Sequence, residues 1–192
     1  MMFILISCGR RVIEKSNFPA NNASALESEV LDDALTQIQN DFNANGVSVD
    51  VRDTRYSVAD TQDALGICYK DGDGKRSGIA LHHKLFLEEI EDRDNFGILY
   101  KVLLHEIGHC FFNREHDETH YKAQGHIMLI EMEPGKMERY IDLSVTVMSQ
   151  YGVYPVAKSL WPYYVKEIAG LDRIISWENI LPYTDVKLVP LK

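Results

Sequence analysis

Apolar side chains recur every three or four residues in the segment 24–46, which predicts an amphipathic helix. Ser24 and Glu27 have the spacing of a capping box, in which each side chain accepts a hydrogen bond from a backbone N–H of the first turn. Asn45 and Gly46 follow the last apolar position and are typical of a helix C-terminus. The apolar face consists of Val30, Leu31, Leu35, Ile38 and Phe42.

A second helix is predicted to begin near Asp94 or Asn95 and to end at Asn113. Its apolar face is wide, which is expected of a helix that passes through a protein core. Asparagine tolerates the left-handed backbone conformation that terminates many helices. The face is made of Phe96, Leu99, Val102, Leu103, Ile107, Cys110 and Phe111.

Between these helices the pattern changes to that of strands. Valines alternate with polar residues over 47–52, and apolar runs follow at 64–69 and at 78–81, the last with an extension towards Phe86. The segment 71–74, Asp-Gly-Asp-Gly, predicts the turn of a hairpin. It does not predict a calcium loop, because the further ligands and the closing Glu are missing at the required spacing.

The C-terminal half of the chain has a weaker pattern. Pro134 and Gly135 predict a turn, and residues 161–168 predict a short helix. Helical spacing predicts one more helix over Met137, Ile141, Val145 and Met148. Together these elements predict one α+β domain over residues 24–192, with a small, twisted mixed sheet packed on helices.

Composition narrows the range of functions. The chain has 192 residues, of which 20 are basic and 29 acidic, so its net charge is −9. Surfaces that bind duplex nucleic acid are usually basic, so we expect no nucleic-acid partner. The sequence contains no run of 18 apolar residues, so we predict no membrane-spanning helix. Cys68 and Cys110 predict two buried thiols, with a disulfide as the alternative in an exported protein.

The N-terminus has the features of an export signal. Leu5-Ile6-Ser7-Cys8 resembles the lipobox of bacterial lipoproteins, in which the cysteine is acylated and becomes the new N-terminus. Only seven residues precede Cys8 and none is charged, so we expect the natural start to lie upstream of Met1. We therefore expect a clipped signal over 1–8, a polar tether over 9–23, and a lipid anchor at Cys8 in the bacterial cell envelope. The alternative is a buried N-terminal strand with an ordinary thiol.

Residues 105–116 read HEIGHCFFNREH and carry the most specific chemistry. His105 and His109 are four residues apart, so both imidazoles project from one face of a helix and can bind a single Zn²⁺. Glu106 stands where it can take a proton from a metal-bound water and deliver it to a leaving amine. Gly108 weakens a helix, so we expect close packing against it.

This segment resembles the zinc-binding helix of the metzincin metallopeptidases, whose pattern is H-E-x-x-H-x-x-G-x-x-H. The first three defined positions match. The third histidine, His116, comes one residue late, and Phe112 stands where the turn glycine belongs. A one-residue insertion, with Asn113 forming the left-handed turn, accounts for both differences. The string also resembles a set of bacterial metallopeptidases, many of them lipoproteins, with H-E-x-G-H-C-x-x-N-R-x-H.

The resemblance implies a zincin-like fold with a central zinc helix, a methionine-containing turn and a C-terminal helix. It implies Zn²⁺ bound by three histidines, with His116 as the third, and peptide-bond hydrolysis with Glu106 as general base and acid. Met128 is predicted to be the methionine of the turn beneath the metal. Peptides or proteins are the expected substrates. The specificity and the oligomeric state are not readable from these motifs.

Other assignments remain open at this point. Glu115 occupies the literal metzincin position of the third ligand, and Asp117 and His120 are further choices. A fourth protein ligand such as His120 would indicate a closed, non-catalytic zinc site in a binding domain. A downstream glutamate ligand would indicate a gluzincin-like hydrolase, for which the candidates are Glu131, Glu133 and Glu138. A structural lipoprotein without metal is the last alternative.

Overall fold

Helices and strands are interspersed along the chain in a computed structural model. It describes residues 11–12, 18–62, 64–71, 73–86, 96–117, 120–122, 126–133, 136–140, 142–144, 146–149, 161–171 and 187–190. The helices are α1 (Ala25–Ala44), α2 (Phe96–Phe111) and α3 (Trp161–Ile168). The strands are β1 (Arg11–Val12), β2 (Tyr56–Ala59), β3 (Gly66–Lys70), β4 (Arg76–His82), β5 (His120–Lys122), β6 (His126–Glu133), β7 (Lys136–Tyr140), β8 (Asp142–Ser144) and β9 (Lys187–Pro190). The predicted α+β class is confirmed.

The ends of α1 are set by the side chains that the sequence predicts. Ser24 Oγ accepts a hydrogen bond from the Glu27 N–H at 3.2 Å, and the Ser24 N–H donates to Glu27 Oε2 at 2.7 Å. This capping box satisfies two of the donors that a helix N-terminus leaves unpaired. Asn45 is the C-cap, and Gly46 follows with a φ of 74°.

A mixed four-stranded sheet has the order β1-β3-β4-β2. The strands β3 and β4 pair antiparallel through the predicted turn, where the Gly74 N–H donates to the Asp71 carbonyl at 2.9 Å. The strand β2 runs parallel to β4, and β1 runs parallel to β3. Because β1 has only two residues, β3 lies near one edge of the sheet.

The two faces of this sheet bury different sets of side chains. Alternate residues of β3 and β4, among them Cys68, Ile79 and Leu81, join the main core with α1, α2 and α3. Residues in between, such as Ile67 and Ala80, join a smaller cluster on the opposite face. Successive side chains of a strand point to opposite faces, so α2 lies against one face of β3.

Residues 47–52 do not form the predicted strand. Val47 and Val51 are buried as expected, but the backbone here bonds to α1 rather than to a neighbouring strand. The Gln39 side chain donates to the Val49 carbonyl at 2.8 Å and accepts from the Val51 N–H at 2.9 Å. One amide side chain on a helix thus takes the place of a partner strand.

The helix predicted over residues 137–148 is also wrong. Residues 136–140 form β7, which pairs antiparallel with β6, and residues 142–144 form β8, which pairs antiparallel with β5. The strand β6 is in turn paired with β9, which completes a three-stranded sheet. The pairing of Glu133 with Lys136 brackets the predicted turn at 134–135, which lies outside the described residues. Pairing with the strands β6 and β5 overrode a helical spacing of apolar residues.

Residues 9–23 are not a free tether where the structure describes them. Arg11–Val12 pair with the end of β3, and the Phe18 ring packs edge-on against Tyr69 with 5.4 Å between centroids. Gly78 leaves the space for this ring, because a side chain there would collide with it. The partly buried Phe18 ring therefore packs against the sheet at this point. Residues 1–10, which include Cys8, lie outside the described residues.

A disulfide joins β3 to the central helix. Cys68 and Cys110 are bonded, with 5.6 Å between their Cα atoms and 42 residues of sequence separation. The preferred expectation of two thiols was wrong, and the disulfide alternative is the one observed. Closing a loop of this length lowers the entropy of the unfolded chain and stabilises the fold by about 4 kcal/mol. None of the helices in the described part of the chain is long and apolar enough to cross a membrane.

Candidate metal centre

The helix α2 brings two histidines together in the interior of the protein. His105 and His109 are only 5% and 3% exposed, and their Nε2 atoms are 3.0 Å apart. They lie one turn apart on a helix that is packed on the sheet and joined to it by the disulfide. The two rings are therefore presented to the same point from a rigid support.

The chain then turns back and adds a third histidine. Asn113 has a φ of 52°, the left-handed conformation predicted for it, and the Arg114 N–H donates to the Gly108 carbonyl at 3.0 Å. The Lys70 ammonium donates to the Asn113 side chain at 2.7 Å. After this turn, His116 Nε2 lies 3.2 Å from His109 Nε2. The ligand atoms of the three histidines lie within 4.8 Å of one another.

Backbone carbonyls fix the tautomers of the two helix histidines. His105 Nδ1 lies 2.7 Å from the Val147 carbonyl oxygen, and His109 Nδ1 lies 2.6 Å from the Arg114 carbonyl oxygen. A carbonyl oxygen can only accept, so each Nδ1 carries the proton and each neutral ring presents a lone pair at Nε2.

Two lone pairs at 3.0 Å repel each other unless a cation lies between them. Nitrogens bound to one Zn²⁺ at its usual bond length and a tetrahedral angle lie about 3.3 Å apart. The observed separations of 3.0 and 3.2 Å are close to this value. The three histidines could therefore hold a metal ion, as the sequence predicts for these residues.

Burial keeps both helix histidines in the neutral form that binds metal. Desolvation, with a smaller contribution from the neighbouring His109, lowers the pKa of His105 from 6.5 to about 3. Desolvation likewise lowers the pKa of His109 to about 4, against the opposing effect of its hydrogen bond to Arg114. At neutral pH, neither ring has to lose a proton before it binds a cation.

These pKa values predict that the metal-free protein is sensitive to acid. The folded state binds fewer protons than the unfolded state between pH 6.5 and about 4, so stability is fully present above pH 6.5 and falls as the pH drops. Each histidine contributes a loss of about 1.4 kcal/mol per pH unit. We expect the melting temperature of chelator-treated protein to fall in this range. A double variant, His105→Asn with His109→Asn, should show a flatter profile, and an equally steep one would contradict this origin.

The glutamate of the motif is held against the first residue of β3. Glu106 is fully buried. A Cβ atom at Gly66 would lie 2.7 Å from Glu106 Cγ and 2.9 Å from Oε1. The same atom would lie 2.9 Å from Val102, on the preceding turn of α2. The absence of a side chain at Gly66 thus leaves the space that the Glu106 side chain requires.

Gly66→Ala is expected to displace Glu106 without removing a metal ligand. The added methyl group cannot fit at these distances, so the carboxylate has to move. For the hydrolysis that the resemblance implies, with Glu106 as general base, we expect the rate to fall about 10²-fold and the metal content to stay unchanged. Gly74→Ala is the matched control. Gly74 lies in an open turn with a φ of 76°, so this substitution is expected to lower the stability of the fold and to leave the site unchanged. Loss of zinc from the Gly66 variant would show that the glycine supports the ligands instead.

The methionine beneath the helix is Met148, and the prediction of Met128 in a turn is wrong. Met128 lies within β6, where it pairs with Tyr140 on one side and Leu188 on the other. Met148 is fully buried, and its Sδ would lie 2.5 Å from a Cβ added at Gly108. The predicted close packing at Gly108 is therefore present, with a different methionine as the partner.

Residues 146–149 form the turn that carries this methionine. The Met148 N–H donates to Thr146 Oγ1 at 3.0 Å, which closes the turn locally. The Met148 carbonyl accepts from the Asp117 N–H at 3.2 Å, directly after His116. The Val147 carbonyl orients His105, as described above. One buried turn therefore contacts His105 through the Val147 carbonyl and packs beside the cluster at Gly108 and Asp117.

The structure does not place the alternative metal ligands in the histidine cluster where it describes their side chains. Glu115 is exposed and is not a member of the cluster formed by the described residues. Asp117 contributes its backbone N–H to the turn at 146–149. His120 lies in β5, and its side chain is outside the described set. The same applies to the side chains of the three candidate glutamates in β6 and β7, Glu131, Glu133 and Glu138.

Sequence reasoning missed four residues that build this site. Gly66, Val147, Met148 and Glu167 reach it from β3, from the turn and from α3, far from the motif in sequence. Only Met148 could have been found from the sequence, because the predicted turn requires a methionine downstream of the three candidate ligands. Its helical spacing with other apolar residues pointed to a different structure.

Comparisons with known proteins add no relative to this picture. No family model matches the chain, and no match was found among curated proteins or among solved structures. The resemblance to the metzincins therefore rests on the sequence of residues 105–116.

Proposed function

We propose that this protein is a metzincin-like zinc peptidase that hydrolyses peptide bonds in peptides or proteins. The observation that carries the proposal is the convergence of three histidine Nε2 atoms, on one helix and the turn that follows it, with a fully buried glutamate next to the first histidine in the chain. A buried carboxylate next to three buried or partly buried imidazoles is costly for a fold unless these groups serve a ligand.

Each residue of the centre has a defined part in this reaction. His105, His109 and His116 would hold the zinc ion, which when bound polarises the scissile carbonyl and lowers the pKa of a coordinated water to about 7. Glu106 accepts the proton of the attacking water and delivers it to the leaving amine. The cluster formed by the described side chains has three donors, which leaves one position of a tetrahedral zinc ion for water or substrate.

The first experiment is a measurement of metal content combined with a cleavage screen. Protein that starts after Cys8 is purified without chelators, its zinc is quantified by elemental analysis, and it is incubated with a peptide library. We expect about one zinc ion per chain and cleavage that a chelator abolishes and added zinc restores. Zinc without cleavage would favour the non-catalytic zinc domain, and a chain without zinc would end both proposals.

We also propose that the chain is attached to the bacterial cell envelope by a lipid at Cys8. The resemblance of residues 5–8 to a lipobox supports this location. Three basic residues that follow, Arg10, Arg11 and Lys15, suit an anionic membrane surface. Mass spectrometry of protein extracted from membranes should find an acylated Cys8 at the N-terminus. An unmodified Cys8 that follows a retained Met1 would contradict the attachment.

A further inference from the structure

An ion pair between a partly exposed arginine and a buried glutamate is connected to the histidine cluster. Glu167 of α3 is 3% exposed, and its Oε1 accepts a hydrogen bond from Arg114 NH2 at 2.6 Å. The other terminal nitrogen of Arg114 donates to the Glu167 carbonyl oxygen, also at 2.6 Å. The guanidinium therefore binds two oxygens of a single residue, which fixes its position with the fork geometry that arginine favours.

This ion pair is linked to His109 through one residue. The Arg114 carbonyl oxygen accepts the Nδ1–H of His109 at 2.6 Å. The residue whose backbone orients a metal ligand is thus the residue whose side chain is fastened to α3. Arg114 follows the left-handed Asn113 and lies outside any helix or strand, although its backbone N–H donates to the Gly108 carbonyl at 3.0 Å. The side-chain contact with Glu167 adds a second constraint, from α3.

The same carboxylate is linked to His105 through the turn at 146–149. The Thr146 hydroxyl and the Val147 backbone N–H both interact with the Glu167 carboxylate. The carbonyl of Val147 accepts the Nδ1–H of His105 at 2.7 Å. A single side chain therefore contacts both peptide segments whose carbonyls set the tautomers of the helix histidines.

Stability alone is a poor explanation for a charge pair in this place. Removing a carboxylate from water is costly, and buried ion pairs often contribute little more than an apolar pair of the same volume. Among the described residues, no hydrogen bond of normal geometry reaches the completely buried Glu167 Oε2, and desolvation raises the pKa of this carboxyl despite the interactions with Arg114, Thr146 and Val147. The fold therefore carries a desolvation cost at the point where α3, the turn and the ligand loop meet.

We propose that Glu167 is a positioning residue that holds the Arg114 and Val147 carbonyls in place and thereby orients His105 and His109 towards the metal. The inference rests on the proposed zinc function. Substitution of a residue that orients a metal ligand typically lowers the metal affinity by about 10–100-fold. Glu167 differs from such partners in that it acts one step further out and on two ligands at once.

The test is the zinc affinity of Glu167→Gln, measured by competition with a chromophoric chelator. The substitution keeps the shape of the side chain and removes its charge. We expect affinity to fall by about 10-fold or more, and the visible spectrum of the Co²⁺-substituted protein to shift because the ligand field changes. Glu27→Gln is the matched control: Glu27 is also a buried glutamate, paired with His83 at 2.7 Å, but it caps α1 and touches no ligand or ligand-bound carbonyl in the described structure. The control should lose stability and keep wild-type zinc affinity and cobalt spectrum.

Wild-type zinc affinity and an unchanged cobalt spectrum in Glu167→Gln would overturn the positioning role while leaving the zinc function intact. An equal loss of affinity in Glu27→Gln would also overturn it, since general destabilisation would then be the cause. If Glu167→Gln does not fold, Arg114→Lys replaces it in the test. Lysine retains the charge and the backbone carbonyl but loses the fork, so the same loss of affinity is expected. A wild-type protein that binds no zinc would instead refute the proposed function.

Discussion

Glu106→Gln is expected to retain its zinc ion and to lose peptidase activity by a factor of about 10² to 10⁴, the usual contribution of a general acid–base group. Glutamine has nearly the same size as glutamate, so it can fill the same buried space against Gly66. It cannot take a proton from water at neutral pH. The loss should therefore appear in kcat, measured on the best peptide of a cleavage screen, while elemental analysis finds about one zinc ion per chain.

Glu115→Gln is the control for this substitution. Glu115 is in the same segment, and its charge helps to hold the His109 pKa up, but its side chain is exposed. Removing an exposed carboxylate near the site leaves turnover within a few-fold of the wild type. Full activity in Glu106→Gln would contradict the assignment of the general base. Loss of zinc from this variant would show that Glu106 supports the ligands rather than the reaction.

His116→Ala is expected to lose zinc, with a larger effect on affinity than the 10–100-fold typical for a residue that only orients a ligand. His116 is the single member of the cluster outside α2, and it lies in a partly exposed segment after the helix. Its removal leaves the core of the protein untouched, so circular dichroism should match that of the wild type. Without it, two nitrogens remain, which is fewer than the three protein ligands of a catalytic zinc site.

His83→Ala is the matched control for the third ligand. His83 is also partly exposed, but it pairs with Glu27 at the start of α1, away from the cluster. It should keep its full zinc content. If His116→Ala retains stoichiometric zinc, the third donor is another residue of this segment or of β5, and the same measurement on Asp117→Ala and His120→Ala identifies it.

Local signals were sufficient for the helices and for the core of the motif. The capping box at Ser24, the left-handed Asn113 and the spacing of His105 and His109 each depend on residues within a few positions of one another. A helix sets these relations through its own periodicity, whatever surrounds it. For the same reason the short helix over residues 161–168 was predicted with the bounds that the structure has.

The failures share a physical cause. Residues 47–52 and 137–148 have spacings compatible with the predicted elements, but the partners of their backbone groups lie outside these segments, on α1, β5 and β6. A backbone N–H or carbonyl must find a partner when it is buried, and the chain pattern does not say which partner is within reach. The disulfide depended in the same way on the approach of β3 to α2.

The sequence by itself determined the candidate metal site of this protein: the three histidines that could hold a metal ion, the adjacent glutamate and the turn that brings His116 back are all contained in residues 105–116. Only the tertiary structure decided which residues support that site. Gly66 lies against Glu106, Met148 lies against Gly108 and Glu167 binds Arg114, because β3, the turn at 146–149 and α3 pack around α2. A ligand can be recognised from its spacing, since a helix fixes its direction, whereas the group that orients the ligand is selected only by packing.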